Sequence, residues 1–361
     1  MNTTYNLKEL GFKEKFKTQA EEYPTLYPGR ITEQTRELYK VATDYGEITA
    51  EVSGKFRYEA LDLAGFPTVG DFVMLDRVTN DIGIAQIQYC LNRQSKLIRK
   101  AAGTAHERQI IASNIDKVLI CMSLNEDFNL RRAERYLSLV WESGAIPVFV
   151  LTKTDIAQDL DKKLKDLQEI SFGVDIFLTS SLNEADYRFL LDYIKEGETI
   201  VLIGSSGVGK STLVNCLLGE NVLQTNGLRN DGKGKHTTTQ RKLFKIPSGG
   251  MIIDTPGIRE VGLDTANFTE TFSDIERLAT FCKFSDCAHE KEPDCAVREA
   301  IEEGRLSENR FLNYQKLMKE VGYEGMNSKE IERSKLDAMF KEIGGMKHAR
   351  KALKQKNKRI Y

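Results

Sequence analysis

The chain has 361 residues, 40% of them hydrophobic and 29% charged, with 52 lysines and arginines against 53 aspartates and glutamates, a formal net charge of −1. This length allows two or three domains with sizeable cores, and the near-zero charge excludes a global field drawing the protein to nucleic acid, so any such attraction must be local. There is no run of about 18 apolar residues, and the opening Met1-Asn2-Thr3-Thr4-Tyr5-Asn6 lacks a charged-then-apolar signal pattern, which predicts a cytoplasmic protein.

Residues 1–29 read as an extension in which Lys8, Lys13, Lys15 and Lys17 alternate with Glu9, Glu14, Glu21 and Glu22. Leu7, Leu10 and Phe12 give one face of a short helix docked on the next domain. From residue 30 to 98 the period changes to two. Glu47-Ile48-Thr49-Ala50-Glu51-Val52 alternates cleanly, Phe72-Val73-Met74-Leu75 and Ile82-Gly83-Ile84-Ala85-Gln86-Ile87 are further strands, and Gly46, Gly54, Gly65 and Gly70 punctuate them. Several short strands in so short a stretch predict a small closed barrel of the oligonucleotide-binding type. Tyr39, Phe56 and Tyr58 interleave with Arg36, Lys40, Lys55 and Arg57, the mixture on which RNA bases stack in a positive groove, although an aromatic on a strand is more often core than platform. The run Arg93-Gln94-Ser95-Lys96-Leu97-Ile98-Arg99-Lys100 lies either on a phosphate backbone or as the solvated face of a linker.

Residues 99–265 alternate strand and helix, which predicts a mainly parallel sheet with helices on both faces and a ligand at the carboxyl ends of its strands. Asp116-Lys117-Val118-Leu119-Ile120-Cys121 opens this region as a buried strand, and Leu130, Ala133, Leu137, Val140 and Trp141 form one stripe of a helix that follows. The strand Pro147-Val148-Phe149-Val150-Leu151 ends in Thr152-Lys153-Thr154-Asp155. A carboxylate at such a strand end can accept both the ring N–H and the exocyclic amine of guanine, a bidentate pairing that adenine cannot make, while the lysine stem lies along the base. Val174-Asp175-Ile176-Phe177-Leu178 ends in Thr179-Ser180-Ser181, a loop suited to close over the guanine carbonyl.

Next the apolar run Thr199-Ile200-Val201-Leu202-Ile203 turns into a helix through Gly204-Ser205-Ser206-Gly207-Val208-Gly209-Lys210-Ser211-Thr212, a G-x-x-x-x-G-K-[ST] phosphate loop in its confirming context. Its glycines let backbone N–H groups point at phosphates, Lys210 reaches the outer phosphates, and Ser211 holds Mg²⁺. Gly232-Lys233-Gly234-Lys235-His236-Thr237-Thr238-Thr239 is a glycine-rich loop whose Thr238 is read as folding over the metal when triphosphate is bound. The short strand Met251-Ile252-Ile253-Asp254 continues into Thr255-Pro256-Gly257, where Asp254 backs the Mg²⁺ and the Gly257 N–H senses the terminal phosphate. Ile258 follows where many relatives of such enzymes carry a water-orienting glutamine, so unassisted turnover on the order of 10⁻⁴ to 10⁻² per second is expected, open to acceleration by a partner. His236 either orients that water or touches RNA.

Residues 266–361 form the last region. Cys282, Cys287, His289 and Cys295 give C-x4-C-x-H-x5-C, suited to one structural zinc with no open position; disulfides are the competing reading, disfavoured in a cytoplasmic nucleotide-binding protein. Cys90, Cys121 and Cys216 lie in apolar stretches and read as core. Phe311, Tyr314, Met318 and Val321 mark an amphipathic helix. The tail 347–361 carries Lys347, Arg350, Lys351, Lys354, Lys356, Lys358 and Arg359 without an acidic residue, either a handle for RNA phosphates or a frayed, solvated helix.

A base loop placed before the phosphate loop resembles the circularly permuted GTPases of ribosome biogenesis, and in detail the bacterial family that depends on the small ribosomal subunit. The resemblance runs from about Arg30 to about Glu324 and includes Pro67-Thr68-Val69-Gly70-Asp71, Phe128-Asn129-Leu130-Arg131-Arg132 and Lys235-His236-Thr237-Thr238-Thr239. The family's base loop often begins with Asn where this chain has Thr152, which puts one hydrogen bond to the base edge at stake and predicts modest nucleotide affinity. The resemblance implies a permuted phosphate-loop GTPase domain between an oligonucleotide-binding barrel and a small zinc-binding helical domain. It also implies a monomer with no membrane partner, hydrolysing Mg²⁺-GTP to GDP on the small subunit and its rRNA during late assembly. The alternative is an RNA-binding module whose site only senses guanine nucleotide.

Overall fold

Alternating side chains put β1 (Tyr27–Thr35), β2 (Leu38–Thr43) and β3 (Gly46–Val52) into an antiparallel meander with Ile31, Val41, Ile48, Ala50 and Val52 turned inward. β4 (Phe72–Leu75) and β5 (Ala85–Cys90) complete it: β3 pairs in parallel with β5, β5 with β4, and β4 with β1, so that five strands close into a barrel. The computed structural model describes residues 6–318 apart from 36, 61–62, 82, 101–107, 126–127, 181–183, 221, 224–240, 255–271, 285–286, 290–291, 309, 313, 316–317. Among the described residues no helix is long and apolar enough to cross a membrane.

Three expectations shift within this part. The strand expected from Ile82 begins at Ala85, behind Gly83 at φ 117°. Phe56 and Tyr58 lie not on a strand but on α2 (Gly54–Glu59), because the Ser53 hydroxyl accepts the Phe56 N–H at 3.1 Å and caps the turn; Tyr39 is buried core, and only Tyr58 faces solvent. In the extension, the helix is α1 (Glu14–Ala20), following a turn that already buries Leu7 and Leu10; Phe16 packs on Phe72 with ring centroids 4.4 Å apart.

Within the basic run after the barrel, Arg93 is engaged inside the protein. Arg93 forks onto the fully buried Asp71 carboxylate at 2.8 and 2.7 Å, since a carboxylate without water demands a cation. Lys96–Lys100 is strand β6, paired with β7 (Arg108–Ser113).

The second sheet is built from β8 (Lys117–Ser123), β9 (Ile146–Thr152), β10 (Asp175–Leu178), β11 (Thr199–Ile203), β12 (Arg241–Lys245) and β13 (Met251–Asp254). Its order is β10-β9-β8-β11-β13-β12, parallel except for the β12–β13 pair. Buried on both sides, its central strands are continuous apolar runs. α3 (Leu130–Ser143) and α4 (Leu160–Ile170) pack into one core; α5 (Glu184–Tyr193) and α6 (Lys210–Leu218) share another. Of the stripe read on α3, Ala133, Leu137 and Val140 are buried, with Leu130 and Trp141 at its margins.

The barrel joins this sheet through backbone: β1 pairs with β12, Glu33 opposite Lys242 and Gln34 opposite Arg241. Beside the ladder, the fully buried Arg30 donates from Nη2 to Thr199 Oγ1 at 2.8 Å, from Nε to the Gly70 carbonyl at 3.3 Å, and to the Leu10 carbonyl. Burial lowers its guanidinium to about 10, with Asp116 and Asp71 opposing the fall, so it stays charged at neutral pH. Gly70, at φ 97°, admits no side chain, since a Cβ there would sit 2.2 Å from the Ser113 carbonyl oxygen. Gly70 of the 67–71 motif is therefore locked into this seam, its carbonyl accepting from both Arg30 and Asn114.

After β13, α7 (Ser273–Ala279) and α8 (Ala296–Glu302) carry Phe272, Ile275, Val297 and Ala300 into the same core as α3. Phe311 and Tyr314 are buried there as the sequence pattern predicts, while Met318 is exposed and Val321 lies outside the described residues.

Candidate functional site: a nucleotide pocket and a metal-ligand cluster

β11 ends in the phosphate loop. Gly204, at φ 143°, lies so close to β8 that a Cβ would meet the Cys121 carbonyl oxygen at 2.3 Å, and Gly209, at φ 98°, turns the chain into α6. Only glycine lets the loop hug the sheet and then aim N–H groups outward from the helix start. Lys210 heads that helix and folds back, Nζ donating to the carbonyls of Gly204 at 2.7 Å and Ser205 at 2.5 Å; Ser211 and Thr212 follow in the first turn. The register of Val201 with Ile253 sets the half-buried Asp254 beside the end of β11, one strand from the loop.

β9 ends in the base loop, with β8 lying between β9 and β11, so the two loops stand roughly 10 Å apart along one sheet edge. Lys153 adopts a left-handed conformation (φ 61°), and the sharp turn carries Asp155 into the one-turn helix Thr154–Ile156. The Asp155 carboxylate accepts the Ser180 hydroxyl at 2.6 Å, and the Ser180 N–H in turn donates to Asp186 at 2.9 Å. The two loops after β9 and β10 are thereby locked together. Thr152 adds a feature that sequence reading missed: its hydroxyl donates to the Val208 carbonyl at 2.6 Å, tying the base loop to the phosphate loop. Thr152 is buried, and its hydroxyl joins the two loops. Arg132, in the first turn of α3, likewise reaches the phosphate loop, its Nη1 donating to the Ser205 hydroxyl at 2.5 Å.

The structure thus brings Thr152, Lys153, Thr154, Asp155 and Ser180 to the same edge as residues 204–212 and Asp254. Ser181, His236, Thr238 and Gly257 lie outside the described residues, as does the basic tail.

The second site is the cluster of Cys282, Cys287, His289 and Cys295, whose ligand atoms all lie within 4.8 Å of one another. His289 and Asp294 both take left-handed conformations, at φ 59° and 57°, and Cys295 Sγ lies 3.4 Å from His289 Nδ1. All three cysteines are free thiols, so the disulfide alternative is not what the geometry builds. Burial holds the His289 imidazole below its usual value, leaving it neutral with a lone pair to give. The cluster is a donor set that could hold one metal ion with every position filled from the chain.

A parallel sheet carrying a phosphate loop, an acidic strand end and a base loop on one edge, with the base loop first in the chain, defines a circularly permuted GTPase; here a five-stranded barrel precedes it and a metal-ligand cluster follows. A family model described as RsgA GTPase matches residues 90–264. An ABC transporter model matches residues 192–355, a span that includes the phosphate loop common to both kinds of nucleoside triphosphatase. The small ribosomal subunit biogenesis GTPase RsgA 2 of Lactiplantibacillus plantarum is 47% identical over 91% of this chain and 92% of its own length. RsgA 2 of Vibrio vulnificus is 40% identical over 99% of this chain and 98% of its own. Among solved structures, YjeQ from Thermotoga maritima superposes with a TM-score of 0.61 at 28% identity, covering 82% of this chain and 98% of that one. YloQ, a circularly permuted GTPase, gives 0.59 at 25% identity, covering 82% and 95%. The chain belongs to the RsgA GTPase family.

Proposed function

We propose that this chain hydrolyses Mg²⁺-GTP to GDP and phosphate while bound to the small ribosomal subunit, and that turnover serves a late step of that subunit's assembly. The Thr152–Val208 bond carries the reading: it ties the loop that bears Asp155 to the loop that leads into Lys210, which supports both loops serving one guanine nucleotide. Asp155 reads the guanine edge, Ser180 steadies that carboxylate with Ser181 beside it, and Lys153 flanks the base. The 204–212 loop cradles the phosphates, Ser211 and Asp254 hold Mg²⁺, Gly257 senses the terminal phosphate, and Thr238 closes over the metal. His236 orients the attacking water, a task that Ile258 cannot perform.

The Cys–His cluster fits zinc. Tetrahedral bonds of about 2.3 Å to sulfur and about 2.0–2.1 Å to nitrogen give edges of about 3.8 Å for S–S and about 3.5 Å for S–N. Cys282 and Cys295 stand 3.8 Å apart, and His289 Nδ1 lies 3.6 and 3.4 Å from those two sulfurs. The barrel and the basic tail supply the RNA-facing surfaces, rRNA is the nucleic acid they meet, and the protein acts as a cytoplasmic monomer. The curated relatives carry the ribosomal role in their names.

GTP hydrolysis with and without purified small subunits tests the whole reading: stimulation of tenfold or more is expected. Tight guanine-nucleotide binding with no turnover under either condition would turn the assignment to a sensing module. Asp155→Asn should move preference from GTP towards xanthosine triphosphate, and unchanged preference would displace Asp155 from the base.

A further inference from the structure

α3 touches both ends of the molecule's chemistry. The Asn129 side chain accepts the Arg132 N–H at 3.1 Å and fixes the first turn, so Arg132 leaves the helix at the carboxyl edge of the sheet and reaches Ser205. Ser205 is thereby gripped twice, its hydroxyl by Arg132 and its carbonyl by Lys210. Once Lys210 swings to a bound phosphate, the Arg132 bond is the grip that stays.

Two residues further along the helix, Glu134 points in a different direction, as i and i+2 positions do. Its side chain is only 3% exposed and accepts from Arg310 Nη1 at 2.5 Å; Arg310 also forks onto Asp274 at 2.7 and 2.8 Å and lies over the Phe272 ring. Arg310, Asp274 and Phe272 all belong to the region that carries the Cys–His cluster. Apolar side chains of similar volume would hold this seam about as firmly as the buried ions do, but ions specify one rotation of α3 against its neighbour and apolar groups do not.

We propose that Arg132 is a positioning residue for the phosphate loop, and that the Glu134–Arg310 pair sets its reach, so that the seating of the cluster-bearing region on α3 tunes nucleotide turnover. This rests on the GTPase reading above and adds a route from the last region to the phosphates that runs through one helix rather than through the chain that follows Asp254.

The test is a set of cycles on the full-length, metal-loaded protein, each read as kcat for GTP hydrolysis and as the dissociation rate of a fluorescent GDP analogue. Arg132→Gln and Ser205→Ala should each lower kcat about tenfold and speed dissociation about threefold, and the double variant should do no worse than either alone. Arg132→Lys should recover part of kcat, since an ammonium can still donate to Ser205. Glu134→Met/Arg310→Met, which keeps the seam packed, should stay folded by thermal melting yet lose about fivefold in kcat, and adding Arg132→Gln to it should bring the loss only to the about tenfold of Arg132→Gln alone, not to about fiftyfold. Multiplicative losses, or a Met/Met protein that turns over like the wild type, would overturn the inference while leaving the GTPase reading intact. Coupling seen in dissociation alone, from a wild type that never hydrolyses GTP, would retire that reading and keep the role of Arg132 in shaping the loop.

Discussion

The nucleotide-binding sheet meets its two neighbours in opposite ways. The barrel is fused to it by main chain, β1 hydrogen-bonded to β12, with Arg30 plugging the seam and Asp71 clamped by Arg93. The cluster-bearing region is held among the described residues by side chains: Phe272, Val297, Phe311 and Tyr314 pack into the α3 core, and Arg310 reaches Glu134. A backbone ladder cannot slip without breaking register, whereas side-chain packing can re-seat at modest cost. Among the described residues, then, the barrel is tied to the sheet by the seam that resists slipping and the last region by the seam that can re-seat.

Removing metal should break that contrast most sharply. Zinc in a filled Cys–His site stabilises its segment by an amount on the order of 10 kcal/mol, far more than the packing of two short helices supplies. Chelation should unfold the segment from Phe272 to Tyr314 while the barrel and the sheet keep their melting transition. Limited proteolysis after chelation, combined with metal analysis, reads this directly; cleavage spreading into residues 30–98 would show the two seams to be one cooperative unit.

The opposite seam is attacked at Arg30. Arg30→Met leaves the acceptors on Leu10, Gly70 and Thr199 without their donor in a place water does not reach, at a cost of about 3–5 kcal/mol. Denaturant unfolding should show the whole barrel-plus-sheet unit destabilised, with the cluster still holding its metal. Gly70→Ala should follow at about 3 kcal/mol, since the Ser113 carbonyl stands in the way and the backbone is left-handed. A destabilisation under about 1 kcal/mol in either variant would mean the barrel is not fixed by these groups.

These residues also mark where the sequence could and could not be read. The phosphate loop, the base loop and the Cys–His cluster each carry their chemistry within four to fourteen neighbouring residues, so spacing alone exposes them. Ser53 before Gly54 was a readable cap, and giving it weight would have placed Phe56 and Tyr58 on a helix. The barrel seam offered no comparable signal. Arg30 draws on Leu10, Gly70, Asn114 and Thr199, a set scattered along the chain, and Arg93 looked like part of a basic run because its partner Asp71 lies 22 residues upstream. The bond from Thr152 to Val208 was hidden for the same reason: its acceptor is 56 residues away.

Thr152 also yields the smallest effect and the finest test of the pocket. If its hydroxyl holds the base loop against the phosphate loop, Thr152→Val keeps shape and volume but leaves the Val208 carbonyl without that donor, a loss of about 1 kcal/mol or roughly fivefold in GDP affinity. Thr152→Ser keeps the donor and should bind as the wild type does. Thr152→Asn brings the family's more usual residue and a second polar atom, so it should bind at least as well, because an amide can donate to Val208 and still present its oxygen to the base. Equilibrium titration with a fluorescent GDP analogue separates the three. Valine binding as tightly as threonine would mean that the two loops are held in register by the sheet alone, and the bond between them would then be a consequence of the pocket's shape rather than its cause.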